Sequence, residues 1–279
     1  MAVHFNESTV AKGPLGTRAE RQTLLTKANV AGTSILLDRW TLPAGAVAEI
    51  GVPPGSMAWF FMLEGACTLH DGRTERALSE AHTGFFLPGY RGALKSGAHA
   101  VLLYVEVPDA IRFDASLTGR APEALVVDWT REPVLQSQHD ARRRIYLATP
   151  KLFGTTAFKA EMIVYPPGTS GSNHHHVGCE HFKYIISGQG TGYTNEEPHG
   201  LAAGDLVYHY DLERHYSHTE GSDALRFIEF FVPGKFRTVW VDESKVCAWL
   251  PSGKNIQGGK PAREIKAHSS AEFASPQDV

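Results

Sequence analysis

The stretch Gly168-Thr169-Ser170-Gly171-Ser172-Asn173-His174-His175-His176-Val177-Gly178-Cys179-Glu180-His181 decides how this chain is read, because it sets four imidazoles and a carboxylate between two strand-like runs. Neutral imidazole and carboxylate suit zinc, iron, manganese or nickel. A second histidine-bearing segment, His209 to His218, follows one hairpin further on.

Outward from this loop, short runs rich in valine, isoleucine, phenylalanine and tyrosine recur between glycine and proline. Glu161-Met162-Ile163-Val164-Tyr165 precedes the loop, and Phe182-Lys183-Tyr184-Ile185-Ile186, Leu206-Val207-Tyr208 and Phe227-Ile228-Glu229-Phe230-Phe231 follow it. Earlier runs of the same style are Ser34-Ile35-Leu36-Leu37, Trp59-Phe60-Phe61-Met62-Leu63 and Val101-Leu102-Leu103-Tyr104-Val105. Such spacing predicts an all-β sandwich or barrel. Helical periodicity is weak and confined to Arg18 to Lys27 and Val239 to Leu250.

The chain also repeats itself. Pro43-Ala44-Gly45 corresponds to Pro166-Pro167-Gly168, and the next glycine turn, Gly65 or Gly188, comes 20 residues after the glycine in both copies, an offset of 123 residues. Gly84-Phe85-Phe86-Leu87 then matches Gly204-Asp205-Leu206-Val207, and Val105-Glu106-Val107-Pro108 echoes Ile228-Glu229-Phe230-Phe231-Val232-Pro233. Two similar β domains in tandem are expected: residues 1–115, residues 116–250 and then an extended C-terminal tail over 251–279, with a polar connection from about Asp109 to Arg144. The candidate ligands occur in one copy. His174 corresponds to Gly51, His176 to Pro53, Glu180 to Met57, His181 to Ala58 and His215 to Lys95. The first domain is expected to keep the fold without metal, and the second to carry the chemistry.

These residues resemble the cupin superfamily, whose first motif is a glycine, five residues, His-x-His, three or four residues, a glutamate, six residues and a glycine. Here it reads Gly168, His174, His176, Glu180 or His181, and Gly188; the second motif reads Gly204 and His215. Three residues after His176 give Glu180, the usual residue type, with seven residues before Gly188; four give His181 with the glycine in register. Strand alternation puts the two on opposite faces, and both stay open. The resemblance implies two tandem jelly-roll barrels with short helical and irregular connections. A metal-free first domain with a metal-bearing second one resembles ureidoglycine aminohydrolase and the glyoxylate-induced proteins, and Glu180-His181, Tyr184-Ile185 and Ser187-Gly188-Gln189-Gly190 are similar to a strand of that family. There the residue matching His181 is a manganese ligand, but a glutamate stands in place of His174 and a glutamine in place of His215.

A chain of 279 residues with 42% hydrophobic residues can bury a large core, and a net charge of -3 with no basic block points to neither nucleic acid nor an anionic membrane surface. Residues Met1 to Val10 lack the pattern of a secretory signal, and no run approaches the ~20 apolar residues of a spanning helix, so a cytoplasmic location is expected. Cys67, Cys179 and Cys247 are odd in number and far apart, which argues against disulfides; Cys67 and Cys247 are expected as small buried hydrophobes.

One divalent transition metal is therefore expected on His174, His176 and His215 with Glu180 or His181, iron(II) (Fe2+) being favoured over Mn2+, Ni2+ or Zn2+. His175 points away from its neighbours on an extended backbone, and His209, His218 and Cys179 are assigned ordinary structural roles. Tyr165, Phe182, Tyr184 and Arg226 are candidates to shape a substrate pocket. The expected activity is a dioxygenase acting on a small chelating molecule, with a ureidoglycine aminohydrolase-like hydrolase, an isomerase, a decarboxylase or a binding protein as alternatives. The expected partners are a small-molecule substrate and a second copy in a homodimer or larger homo-oligomer.

Overall fold

The computed structural model describes residues 3–72, 74–219, 221–269 and 279. Their regular secondary structure is almost entirely strand, as expected; beyond short 3-10 turns, the one helix among the described residues is Pro150–Phe153. None is long and apolar enough to cross a membrane. The chain divides into two compact units, Glu7–Trp129 and Thr130–Val279 with Met1–Asn6.

Neither weak helical pattern forms a helix. Glu20–Leu25 is a strand paired with Leu36–Leu42, with Gln22 and Leu24 buried and Arg21 and Thr23 exposed, and the second region gives the 3-10 turn Glu243–Lys245 and the strand Ala248–Pro251. A period of two satisfied by a neighbouring strand outweighs a weak local preference.

The first unit is a ten-stranded antiparallel assembly around the 14-residue strand Met57–His70, which pairs with His82–Phe86, Glu75–Ser79, Arg91–Lys95 and Ala100–Val107. Its inward side chains include Trp40, Ala58, Phe60, Met62, Phe86 and Tyr104. Each fully buried aromatic or aliphatic side chain contributes about 1.5–3 kcal/mol.

In the second unit a nine-stranded antiparallel sheet runs in the spatial order Val3–Asn6, Asp205–His209, Glu180–Ser187, Leu225–Val232, Lys159–Tyr165, Arg143–Ala148, Val134–Ser137, Ala248–Pro251 and His268–Ser269. A five-stranded sheet in the order Glu197–Ala202, Gln189–Thr194, His215–His218, His174–Val177 and Arg237–Trp240 lies against it. Leu201 of the small sheet packs with Ile163, Ile185, Val207 and Phe227 of the large one. The turn at Gly188 has a positive φ of 83°, and a Cβ there would collide with the Ala224 carbonyl; Gly65, its repeat partner, has φ 71° and approaches the His99 carbonyl in the same way.

Beyond Leu250, His268–Ser269 pairs with Ala248–Pro251, and Ile265 and Val279 are buried in the core. The expected tail falls partly on residues 270–278, outside the described residues.

Candidate metal centre

Strand register sets what faces the space between the two sheets. Across the large sheet, His209, His181, Phe231 and Lys159 lie side by side in one row; Val207, Lys183, Glu229, Glu161 and Tyr146 form the next row. The small sheet contributes His174 and His176, one period of two apart, and His215, paired directly with His174. Five imidazoles thus converge from two sheets.

Their ligand atoms form two groups, His174, His176 and His215, and His181, His209 and His215, each with all atoms within 4.8 Å of one another. His215 belongs to both. Its ring centroid lies 4.4 Å from that of His174, 5.1 Å from His176, 4.7 Å from His181 and 4.3 Å from His209. Nδ1 of His174 lies 2.8 Å from the Ser172 carbonyl and Nδ1 of His215 lies 2.9 Å from the Glu213 carbonyl. A carbonyl can only accept, so these Nδ1 atoms carry the proton and leave Nε2 with its lone pair. His176 Nδ1 is 3.1 Å from the Thr238 hydroxyl.

Loss of hydration pushes the His174 imidazolium down to about 3 and those of His176, His181, His209 and His215 well below the ordinary histidine value, so all five are neutral at neutral pH. Buried and without a hydrogen-bond partner are His176 Nε2, both nitrogens of His181, His209 Nδ1 and His215 Nε2. Each such atom costs about 1–3 kcal/mol. Soft-to-borderline neutral nitrogen donors, gathered and left without protons to accept, fit a divalent transition metal.

Both groups contain histidine alone. Glu180 lies on the opposite face of its strand, where Tyr208 donates to its Oε2 at 2.5 Å, whereas His181 points inward beside His209. His209, assigned a structural role from sequence, joins the cluster because antiparallel pairing sets it directly opposite His181. Applying that register to Asp205, Val207 and His209 as alternate inward positions was the available signal. His175 and His218 stand outside both groups, and Cys179 is buried with Phe231 and Phe236.

A cavity opens beside His174 and His176, bounded by Arg142, Arg144, Lys159, Glu161, Glu229, Phe236 and Trp240 among others, with about 40 Å³ open to the centre of a water molecule. None of the four side chains expected to shape the pocket bounds it. Phe182 and Tyr184 face away from His181, with Phe182 stacked on Phe230; Arg226 is exposed at the strand start; Tyr165 is buried in the core, its hydroxyl 3.3 Å from Arg142. Strand alternation excludes the first two, because they differ from His181 by an odd number of residues. Lys183, by contrast, is buried inside with its ammonium 3.6 Å from Glu229.

Residues 161–231, spanning His174 to His215, match the family model described as a cupin domain. That stretch of the second unit is thus similar to a cupin domain. Similar solved structures include Bacillus subtilis oxalate decarboxylase at pH 4.6, with a TM-score of 0.68, 15% sequence identity, and coverage of 85% of this chain and 78% of that one. Another is a structure of the same decarboxylase from work assigning the EPR fine-structure parameters of its Mn(II) centres, with a TM-score of 0.67, 14% identity, and coverage of 85% and 79%. The fold is thus that of a bicupin built from jelly-roll barrels. No curated protein sequence matches this chain.

Proposed function

We propose that the histidine cluster of the cupin domain holds one divalent transition metal, iron(II) first among candidates, and that the protein is a dioxygenase acting on a small chelating organic substrate. The observation that carries this is the set of five neutral imidazoles, four buried and His174 half-buried, grouped without a carboxylate among them, with His174 and His176 bordering a small cavity. His174, His176, His181 and His215 would hold the ion, with His209 beside them. Bound iron(II) supplies coordination positions at which a chelating substrate and dioxygen meet. The protein does the rest: Ser172, Glu213 and Thr238 fix the imidazole rings, while Phe231, Phe236 and Trp240 keep bulk water from the reacting atoms.

A manganese-dependent decarboxylase is the second reading, supported by the fold shared with oxalate decarboxylase and by the cationic side chains bounding the cavity. The decisive experiment is metal analysis of protein purified without added metal, followed by parallel oxygen-electrode and carbon dioxide measurements on small hydroxy acids, diketones and dicarboxylates. Oxygen uptake coupled to substrate loss supports the dioxygenase. Carbon dioxide release without stoichiometric oxygen consumption replaces it with the decarboxylase, and ammonia release from ureidoglycine replaces it with the hydrolase. The homo-oligomer expected from sequence is checked by light scattering on the same preparation.

A further inference from the structure

The cavity beside the histidines has a charge imbalance. Arg142 is matched by Asp140, which its Nη2 meets at 2.8 Å and its Nε at 2.8 and 2.9 Å. Lys183 is matched by Glu229. Arg144 and Lys159, however, share a single carboxylate, Glu161, at 3.0 and 3.1 Å. Two cations against one anion leave one positive charge unanswered inside the barrel.

The surroundings answer that charge only in part, through aromatic faces and a bond from Arg144 Nη1 to the Tyr146 hydroxyl at 3.4 Å. Glu161 is 1% exposed on its side chain, Lys159 6% and Arg144 11%. The Lys159 ammonium lies 5.0 Å from the ring centroids of both Tyr146 and Phe236, and the Arg144 guanidinium lies 4.0 Å over Trp249. Arg144 Nε is buried without a hydrogen-bond partner. An uncompensated buried cation is costly, and a ligand anion of matching geometry removes that cost. Guanidinium is suited to a planar carboxylate, which it grips through two parallel hydrogen bonds.

We infer that the substrate is a small dianionic carboxylic acid, one end of which lies at the histidines while its second carboxylate is received by Arg144 and Lys159; this rests on the metal-dependent reading of the same cavity. A monoanion held at the histidines leaves the Arg144 and Lys159 excess unanswered, and a neutral chelator answers neither charge. Size limits the choice further. The roughly 40 Å³ open to water centres corresponds to about three water-sized positions, which favours a compact molecule of a few carbons.

The test uses the full-length, metal-loaded protein at neutral pH and titrates it calorimetrically with malonate and with malonamide, a neutral molecule of the same shape. Malonate is expected to bind at least about 10-fold more tightly than malonamide, and Arg144→Gln to weaken malonate by about 10–100-fold with metal content unchanged, the range for losing a charge-assisted contact. Equal binding of malonate and malonamide overturns the inference, as does an Arg144→Gln protein that folds, keeps its metal and binds malonate as the parent does. If Arg144→Gln fails to fold, the malonate-to-malonamide ratio of the metal-free parent protein, in which no ion chelates malonate, decides in its place. Metal content is measured separately: a parent protein that takes up no metal refutes the metal-dependent reading, while its own malonate-to-malonamide ratio still decides the anion pocket.

Discussion

Position for position, the two units pair their strands alike and fill the space between them with opposite chemistry. In the first unit Ala58 faces Phe86 and Glu106 across its two neighbouring strands; in the second His181 faces His209 and Phe231. Two residues on, Phe60 faces Gly84 and Tyr104, where Lys183 faces Val207 and Glu229. The exchange conserves volume: a Cβ at Gly84 would strike the Phe60 ring, whereas the slimmer Lys183 leaves room for valine. The first interior closes on itself, with Phe60 stacked on Phe86 at 5.4 Å and Phe86 on Tyr90 at 4.8 Å. The second leaves imidazole nitrogens without partners and a guanidinium sharing its carboxylate. One backbone lattice thus supports either a packed core or a ligand site, and the inward alternate positions decide which.

Breaking the packed interior should have the largest effect. Phe60→Ala is expected to cost about 3–5 kcal/mol in chemical unfolding of the first unit, through lost burial plus the cavity left behind, with metal content unchanged. A loss of metal in that variant would contradict the division of labour between the units. On the other side of the comparison, His215→Ala removes the imidazole common to both groups and is expected to lower metal affinity by at least about 100-fold, the upper end of what loss of an outer contact costs. Retention of a full equivalent after dialysis would show that the cluster is not the metal site.

Acid should separate the units as well. The His174 value near 3 lies below the ordinary 6.5, so the unfolded chain binds more protons between those values. Stability of the metal-free second unit is therefore full above about 6.5 and falls as pH drops toward 3, by about 1.4 kcal/mol per pH unit for each such imidazole. The buried Cys67 and Tyr104 of the first unit are shifted upward by loss of hydration and stay neutral throughout that window. Hydrogen exchange of the metal-free protein across this range should show the second unit opening first; parallel loss in both units would refute the assignment. The smallest effect is expected at Glu180→Gln, about 1 kcal/mol from weakening the bond donated by Tyr208, with metal content untouched. Loss of metal there would restore Glu180 as a ligand.

Much of this was legible in the chain itself. The repeat offset, the glycine turns at Gly65 and Gly188 and the period-two runs gave two β-barrels, because turns and alternation are local properties carried by neighbouring residues. His174, His176 and His215 stood out for the same reason. The choice between Glu180 and His181 was not local: a single-residue shift in phase reverses which faces the interior, and that phase is set by pairing with Asp205–His209 and Leu225–Val232. The weak helical patterns failed similarly, once neighbouring strands supplied backbone partners.

The sequence alone determined the all-β class, the duplication and the asymmetry between a domain that carries the candidate ligand histidines and one that has other residues at those positions. Only the tertiary structure decided that His209 joins the cluster, that Phe182, Tyr184 and Arg226 stand away from it, and that Arg144, Lys159 and Glu161 form its charged wall. The physical reason is that a barrel interior is assembled across strands distant in sequence, so register and burial choose the residues that meet there.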